Sequence, residues 1–527
     1  MTDIAIQAPP GLPGQWFAQA IRHHHAGQLA NATALYRQVL TVAPAHPDTL
    51  YLAGLAEHQA GRNDMALRAI DAAIQQVPNL ARYHEARGHA LRALERFDDA
   101  LTAFRQAIRI DPGMAVAHYN MGLVLQSLDR MDEAADAYRA ALRLDATMMM
   151  AHNNLGLTLH NVGRFDEAEQ SLRTALTLSP NTAEVMYNLG SLMTDTGRLD
   201  EARTWLEAAL KLAPDNFLSR IGMMNLNLKC GQLRGNWLDQ ETRWQALGPA
   251  APDGEWGWDG RGLDDGTLLV VHEQGFGDSL QFCRFASLAA QRARVVLSVP
   301  PQLVRLLSSL EGVAAVVSNE EPAPAYEHRT LMLSLPHPLA IGMEDLPGPI
   351  PYLHADAADI ARWRDRVAPL PGRKVGLVWA GNPRLGFAAA NRLDIRRSMH
   401  LAQFAPLGTV PGVSFVSLQK GAGEAEAANP PEGMALHDWT AELHDFAETA
   451  ALICALDLVI CVDTSVAHLA GALGRPVWML NRFDSDWRWM TERSDSPWYP
   501  SMRMFRQPAP GDWTSVIAAV RTALEES

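Results

Sequence analysis

Three short stretches of this 527-residue chain combine residue types that do chemistry. The first is Gly275-Phe276-Gly277-Asp278. Its glycines let backbone approach a ligand closely. Asp278 stands at the start of a helix, where an aspartate serves either as a general base taking a proton from a nucleophile or as an N-cap. The second is Val462-Asp463-Thr464-Ser465-Val466-Ala467-His468, read as a strand ending in Asp463 and a helix beginning at Thr464. Free N–H groups and the helix dipole suit a phosphate there. Thr464 and Ser465 add hydroxyl donors, Asp463 is suited to accept from sugar hydroxyls, and His468 lies one turn on. A plain helix cap by Asp463 or Thr464 uses the same residues. The third is a basic loop after Trp379: Gly381-Asn382-Pro383-Arg384, then Arg392, Arg396, Arg397 and Ser398, with Lys420 following a separate strand. Such cations stabilise a departing diphosphate, although a solvated surface loop has the same composition. No Gly-rich Walker pattern accompanies these stretches, which argues against a nucleoside triphosphatase.

The elements that must position these residues are legible as alternating β-rich and helical runs. Strands are expected at 267–272, 294–299, 314–318 and 331–335, then at 374–380, 414–419, 456–462 and 476–480. Helices are expected at 278–292, 301–310 and 358–367, with others between the later strands. Strands alternating with helices give parallel sheets. Two consecutive sets imply two doubly wound lobes, with ligands beyond the carboxyl ends of the strands.

The first half of the chain repeats with a period of 34 residues. Glycine recurs at Gly54, Gly88, Gly122, Gly156 and Gly190, alanine at Ala32, Ala66, Ala100, Ala134, Ala168 and Ala202, and proline at Pro44, Pro78, Pro112, Pro180 and Pro214, with Ala146 filling the gap. Small residues belong where two antiparallel helices touch, and proline ends the second helix of each pair. Gly27, Gly61, Gly163 and Gly197 mark the turn between paired helices. The pattern matches the tetratricopeptide repeat over about residues 13–216, six repeats, with a degenerate helical unit expected over 217–247. Such a solenoid offers an extended concave surface. Asn120, Asn154 and Asn188 occupy equivalent positions on the helix that lines it. A ladder of amides holds an extended peptide with little sequence selectivity; solvation of a helix face is the plainer use of the same residues. His23-His24-His25 are adjacent and point apart on a helix, so no metal site is expected there, and Met148 to Met150 are expected to pack at a repeat start rather than contact a cofactor.

Net charge is −14 with histidine neutral, which argues against sequence-independent binding to nucleic acid. Four cysteines without a C-x-x-C pair fit a reducing compartment. The first fifteen residues lack a cationic stretch followed by an apolar core, and no apolar run approaches the roughly 20 residues of a membrane span. A cytoplasmic location is therefore expected.

Taken in order, the pieces resemble bacterial heptosyltransferase-type glycosyltransferases, in the variant fused behind tetratricopeptide repeats. The resemblance rests on E-Q-G-F-G-D-S-L-Q-F-C-R-F at 273–285, V-G-L-V-W-A-G-N-P at 375–383 and F-V-S-L-Q-K-G at 415–421. The most specific piece is L-D-L-V-I-C-V-D-T-S-V-A-H-L-A-G-A-L-G-R-P-V-W at 456–478, followed by D-W-R-W-M at 486–490 and S-P-W-Y-P at 496–500. The resemblance implies a GT-B fold of two facing Rossmann-like lobes. It implies inverting, metal-independent transfer from a nucleotide-activated sugar, with no cofactor. Gly277-Asp278 matches the family's Gly-Asp pair, whose aspartate is the base; Asp463-Thr464 matches its donor-contacting pair, and His468 the histidine that follows. Asn382, Arg396, Arg397, Lys420 and Ser465 complete the expected donor site. Asp484-Ser485-Asp486 has the D-x-D form of a metal motif but sits among tryptophans in a loop, and no metal is expected.

The plan is similar to O-GlcNAc transferase, whose repeats carry a like asparagine ladder, and to flagellin-modifying transferases. The implied acceptor is a protein, possibly flagellin-like, on the concave face of the repeats. The expected division is a repeat superhelix over 1–230, a joint over 231–265, an acceptor-side lobe over 266–355 and a donor-side lobe with a C-terminal helix over 356–527. The rival readings are a transferase acting on a lipid or saccharide with the repeats as scaffold, and a non-catalytic nucleotide-sugar-binding adaptor.

Overall fold

The periodic glycines are there because nothing larger fits. A Cβ on Gly54 would stand 2.5 Å from Ile70, on Gly88 2.6 Å from Phe104, on Gly122 2.5 Å from Tyr138 and on Gly156 2.6 Å from Leu172. In each case the first helix of a pair presents its glycine to a large residue sixteen positions on, in the second helix. The alanines of the same register are buried. A computed structural model describes residues 6–241, 257–264, 266–383 and 388–527. The expectations placed on 242–256 and 265, part of the joint and the end of the degenerate unit, lie outside the described residues, as does Arg384.

The chain divides into two compact units, Met1–Val185 and Met186–Ser527. The first unit holds five helical pairs: Leu12–His25 with Leu29–Val42, Pro47–Gln59 with Asn63–Gln76, Ala81–Ala93 with Phe97–Ile110, Ala115–Ser127 with Met131–Leu144, and Met149–Asn161 with Phe165–Leu178. The turn within each pair needs one left-handed residue. Gly27, Gly61 and Gly163 supply it with φ of 70, 75 and 80°, while Glu95 and Asp129 are forced into the same region at 58 and 60°.

The second unit begins inside helix Ala183–Asp195 and continues with helices Leu199–Leu212 and Phe217–Lys229. The α/β part holds the end of the last of these helices and Trp237, which follows it. Lys229 Nζ donates to the Ser485 carbonyl at 3.0 Å, and Trp237 Nε1 to the Ile341 carbonyl at 2.7 Å.

Two wholly parallel sheets follow. The first comprises β1 (Thr267–Val271), β2 (Arg294–Val299), β3 (Ala315–Ser318) and β4 (His328–Leu331), in the order β3-β2-β1-β4. The second comprises β5 (Arg373–Val378), β6 (Val413–Ser417), β7 (Leu436–Asp438), β8 (Leu458–Val462), β9 (Val477–Asn481) and β10 (Met502–Arg506), in the order β10-β9-β8-β5-β6-β7. The order reverses between β8 and β5, the switch point where doubly wound sheets open a crevice. Side chains alternate across the second sheet. Val378, Val459, Cys461 and Met479 join Leu268 and Val270 of the first sheet in one core, whereas Val375, Leu377, Ile460 and Leu480 pack with Trp513, Val516 and Val520 of the last helix, Trp513–Glu526.

Four expectations are corrected. The strand expected at 331–335 lies earlier, at His328–Leu331; the apolar residues after it form a short 3-10 turn, Met332–Ser334, whose Leu333 N–H is held by Glu273 at 3.1 Å. Buried apolar runs do not by themselves distinguish a strand from a turn. The helix expected at 278–292 starts at Phe276 and is broken at Cys283 into Phe276–Phe282 and Arg284–Ala289. Arg392, Arg396 and Arg397 stand on a helix, Ala388–Arg397, rather than in a loop. Strands β7 and β10 were not anticipated; β7 is only three residues long.

Candidate active site

The Gly275–Asp278 turn leaves the carboxyl end of β1 and enters helix Phe276–Phe282. Gly275 is the N-cap, and Asp278 is the third helical residue rather than the cap. One carboxylate oxygen, Oδ2, accepts from Gly275 N–H at 3.0 Å, and the other, Oδ1, accepts from Arg488 Nη2 at 2.6 Å. Asp278 therefore stabilises its helix and reaches the second lobe at the same time. His272, the residue after β1, lies beside it with Nδ1 2.6 Å from the Ser279 hydroxyl; burial lowers its pKa, against the opposing charge of Asp278.

Opposite stands helix Ser465–Ala472, following β8. Gly277 faces it so closely that a Cβ there would lie 3.0 Å from His468 Cδ2 and 3.5 Å from Ser465 Cα. The glycine-aspartate turn of one lobe and the anion-suited helix end of the other thus meet. His468 is buried between Trp489 and Tyr499, with Nδ1 3.0 Å from the Tyr499 hydroxyl. Burial holds its pKa down at about 3, with Arg488 pushing the same way, so the ring is neutral near pH 7. Asp463 is not a cap; its Oδ2 accepts from Trp489 Nε1 at 3.0 Å. Thr464 is the N-cap but makes no side-chain cap bond, and its buried hydroxyl has no partner among the described residues. Ser465, partly buried, opens the helix beside it.

The remaining expected residues fall into two groups. Arg397 packs on Gly381 and pairs with Asp394 at 2.6 Å, and Arg396 pairs with Asp484 at 2.9 Å. Arg482, which ends the β9 segment, approaches the same Asp484 at 3.7 Å. β5 and β9 flank β8, so the Arg396–Asp484 pair joins the segments on either side of the end of β8. Among the described residues, Nε and Nη1 of Arg396 and Arg482, Nε of Arg397 and both amide atoms of the fully buried Asn481 have no hydrogen-bond partner. Buried polar groups are normally satisfied, and this concentration of idle donors at one sheet edge suits an anionic, hydrogen-bonding ligand.

Asn382 and Lys420 are otherwise engaged. Asn382 Oδ1 accepts from Ala422 N–H at 2.9 Å, tying the β5 loop to the β6 loop, and Lys420 Nζ donates to the Thr440 carbonyl at 2.9 Å. Gln419, buried beside them, accepts from the Trp379 and Ala380 N–H groups and donates to three carbonyls.

The Asp484–Asp486 triplet is used by cations. Asp484 faces Arg396 and Arg482, and Asp486 Oδ1 accepts from Arg488 Nη1 at 3.0 Å. Burial works against the Asp486 charge, but Arg488 keeps its pKa below the usual range. In the first unit Asn120 and Asn154 are 4% and 9% exposed. Asn120 Nδ2 lies 3.1 Å from His89 Nε2, and Asn154 Nδ2 donates to Tyr119 Oη at 3.2 Å. Asn188, in the second unit, is 4% exposed. Asn120 and Asn154 are packed between neighbouring helices rather than projecting as open rungs, and Asn188 is likewise buried.

Reading the sequence gave no role to Arg488, Trp489, Asn481, Arg482, Tyr499 or His272. The stretch D-W-R-W-M held the signal, since an arginine between two tryptophans suits a buried, stacked guanidinium.

Fold and site define a helical-repeat domain followed by an α/β module of glycosyltransferase type. Comparison with known proteins gives the particulars: a tetratricopeptide-type N-terminal domain is joined to a C-terminal glycosyltransferase family 9 domain. Residues 419–505 match the model described as glycosyltransferase family 9 (heptosyltransferase). Residues 10–224 match the model, of tetratricopeptide type, described as the cilia and flagella-associated protein 70 C-terminal domain. Protein FlbA of Caulobacter vibrioides (strain ATCC 19089 / CIP 103742 / CB 15) is 30% identical over 307 residues, 51% of this chain and 48% of that one. The chain thus spans about half the length of the curated relative it matches. Among solved structures, MamA is 24% identical with a TM-score of 0.30, covering 31% of this chain and 94% of its own. PilF of Pseudomonas aeruginosa is 15% identical with a TM-score of 0.37, covering 40% and 96%. YrrB, titled a TPR protein with an unusual peptide-binding site, is 20% identical with a TM-score of 0.32, covering 36% and 97%. Among the described residues no helix is long and apolar enough to cross a membrane.

Proposed function

We propose that the chain is a GT-B glycosyltransferase of the cytoplasm. It moves a sugar from a nucleotide-activated donor to a hydroxyl of a protein acceptor recruited by the repeats, with inversion and without a metal or other cofactor. The observation that carries this reading is the meeting of Gly277-Asp278 with Ser465 and His468 across two parallel-sheet lobes. Asp278 takes the proton of the acceptor hydroxyl, and the freed oxygen attacks the anomeric carbon from the face opposite the leaving nucleotide. The bond from that carbon to the phosphate oxygen breaks. The diphosphate carries away the negative charge and is received by the helix end at Thr464 and Ser465, by Arg396 and Arg397, and by the idle donors of Arg482. Asp463 and Asn382 border the sugar, neutral His468 holds the floor of the site, and Lys420 braces the β6 loop.

In the repeats, Asn120, Asn154 and Asn188 are the residues assigned to a peptide backbone on the concave face. The burial of these asparagines favours a second reading as well, in which the repeats are a scaffold and the acceptor is a saccharide or lipid. Incubation with radiolabelled UDP-, GDP-, ADP- and CMP-sugars and a cell extract separates the two. Label on a protein band supports the first, and label only on glycan or lipid the second. Asp278→Asn should abolish labelling while leaving nucleoside diphosphate binding intact; full labelling by that variant would remove Asp278 as the base.

A further inference from the structure

Arg488 has no role in the reading above, yet all three of its guanidinium nitrogens are engaged where the lobes meet. Its Nη2 donates to Asp278 Oδ1 at 2.6 Å, its Nη1 to Asp486 Oδ1 at 3.0 Å and its Nε to Gln281 Oε1 at 2.7 Å. The guanidinium lies over Trp487, 4.7 Å from the ring centroid, and 5.7 Å from that of Phe282. Its own backbone is fixed too: the Arg488 N–H donates to Asp486 at 3.0 Å, and its carbonyl accepts from Trp498 Nε1 at 3.1 Å. A planar fork with every edge engaged is pre-organised and cannot swing away as a lysine would.

From this geometry we propose that Arg488 is the positioning residue of the transfer, clamping the Asp278 carboxylate at the orientation in which it meets the acceptor hydroxyl. The inference rests on Asp278 being the base. With Oδ2 tied to Gly275 N–H and Oδ1 to Arg488, the carboxylate plane has no rotational freedom. A carboxylate has about four acceptor positions in all, so lone pairs remain for the incoming proton.

The second carboxylate, Asp486, completes the device. When the acceptor O–H bond breaks and the proton passes to Asp278, that carboxyl becomes neutral. Arg488 would then be a buried cation without a counter-charge, which is costly. Asp486 keeps it compensated throughout, so the proton transfer does not strand a charge between the lobes. Neither feature requires Arg488 to touch the donor, and none of its bonds leads to the Arg396–Asp484–Arg482 group.

The test measures initial rates of label transfer from the same nucleotide-sugar panel and extract for full-length wild type, Arg488→Ala, Arg488→Lys and Asp278→Asn, with nucleoside diphosphate binding followed in parallel. A displacement on the order of 1 Å at a reacting group costs roughly 100-fold in rate, and Arg488→Ala should lose that much while binding nucleoside diphosphate as wild type does. Millimolar guanidinium should restore part of the Arg488→Ala rate and do nothing for Arg488→Lys. The lysine variant keeps the buried charge and serves should the alanine variant not fold; its rate should still fall well below wild type.

If Asp278→Asn is inactive while both Arg488 variants transfer at the wild-type rate, the positioning role is overturned and the base survives. If the Arg488 variants lose rate and nucleoside diphosphate binding together, without guanidinium rescue, Arg488 is a structural prop and the inference is also overturned. An active Asp278→Asn removes Asp278 as the base and this role with it, and a wild type that labels nothing removes the transfer reading itself.

Discussion

Gly277 lies against His468 so closely that one added methyl group would come within 3.0 Å of the imidazole Cδ2. The imidazole has no room to retreat, being bound to the Tyr499 hydroxyl and packed against Trp489.

Gly277→Ala should therefore act on geometry more than on stability. Alanine in place of glycine gains about 1 kcal/mol of helix propensity, while overpacking costs about 1–3 kcal/mol, so the net cost is about 0–2 kcal/mol. The strain is delivered to the neighbouring Asp278. The expected outcome is a melting temperature within a few degrees of wild type and label transfer reduced at least 10-fold, on the order of what a sub-ångström misplacement costs. Calorimetry with the transfer assay checks this, and undiminished transfer would show that the two lobes do not need this close approach.

His468 sets an acid limit on stability. Its folded pKa is about 3, lowered mainly by burial, against about 6.5 in the unfolded chain. Above pH 6.5 both states are neutral and the group contributes no pH dependence. Below it the unfolded chain takes up a proton that the fold refuses, so stability declines as pH falls from about 6.5 towards 3, at up to roughly 1.4 kcal/mol per pH unit. Denaturant titrations between pH 7 and 4 should show a shallower acid slope for His468→Gln than for wild type. Parallel slopes would mean that the imidazole is not held neutral.

Glu95 occupies a left-handed position, with φ of 58°, that glycine fills in the equivalent turns at Gly27, Gly61 and Gly163. It is exposed, so a substitution there changes little beyond the backbone. The left-handed conformation costs a residue with a Cβ roughly 1–2 kcal/mol, partly offset by glycine's larger loss of chain entropy on folding. Glu95→Gly should stabilise the first unit by about 0.5–1 kcal/mol, read as a higher denaturant midpoint for the helical signal. A lower midpoint would show that the turn is not strained.

The amino-acid sequence by itself determined the repeat and most of the strands. A 34-residue period of glycine and alanine is dictated by contacts inside one helical pair, sixteen residues apart, and local contacts of that kind leave a visible rhythm. The strand-to-helix turns at Asp278 and Asp463 were legible for the same reason: each is a local change from apolar run to cap and helix. The break at Cys283 and the three-residue strand β7 were not, since neither has a pattern longer than a few residues.

What only the tertiary structure decided is the traffic between segments far apart in the chain. Arg488 reaches Asp278 across 210 residues, Asp484 is shared by Arg396 and Arg482, and Lys420 donates to the Thr440 carbonyl. An ion pair or a buried amide depends on which side chains the packed lobes bring within about 3 Å, and no spacing along the chain encodes that. The burial of Asn120, Asn154 and Asn188 belongs with these: their recurrence was visible in one dimension, but which neighbours covered them was settled by helices folding onto one another.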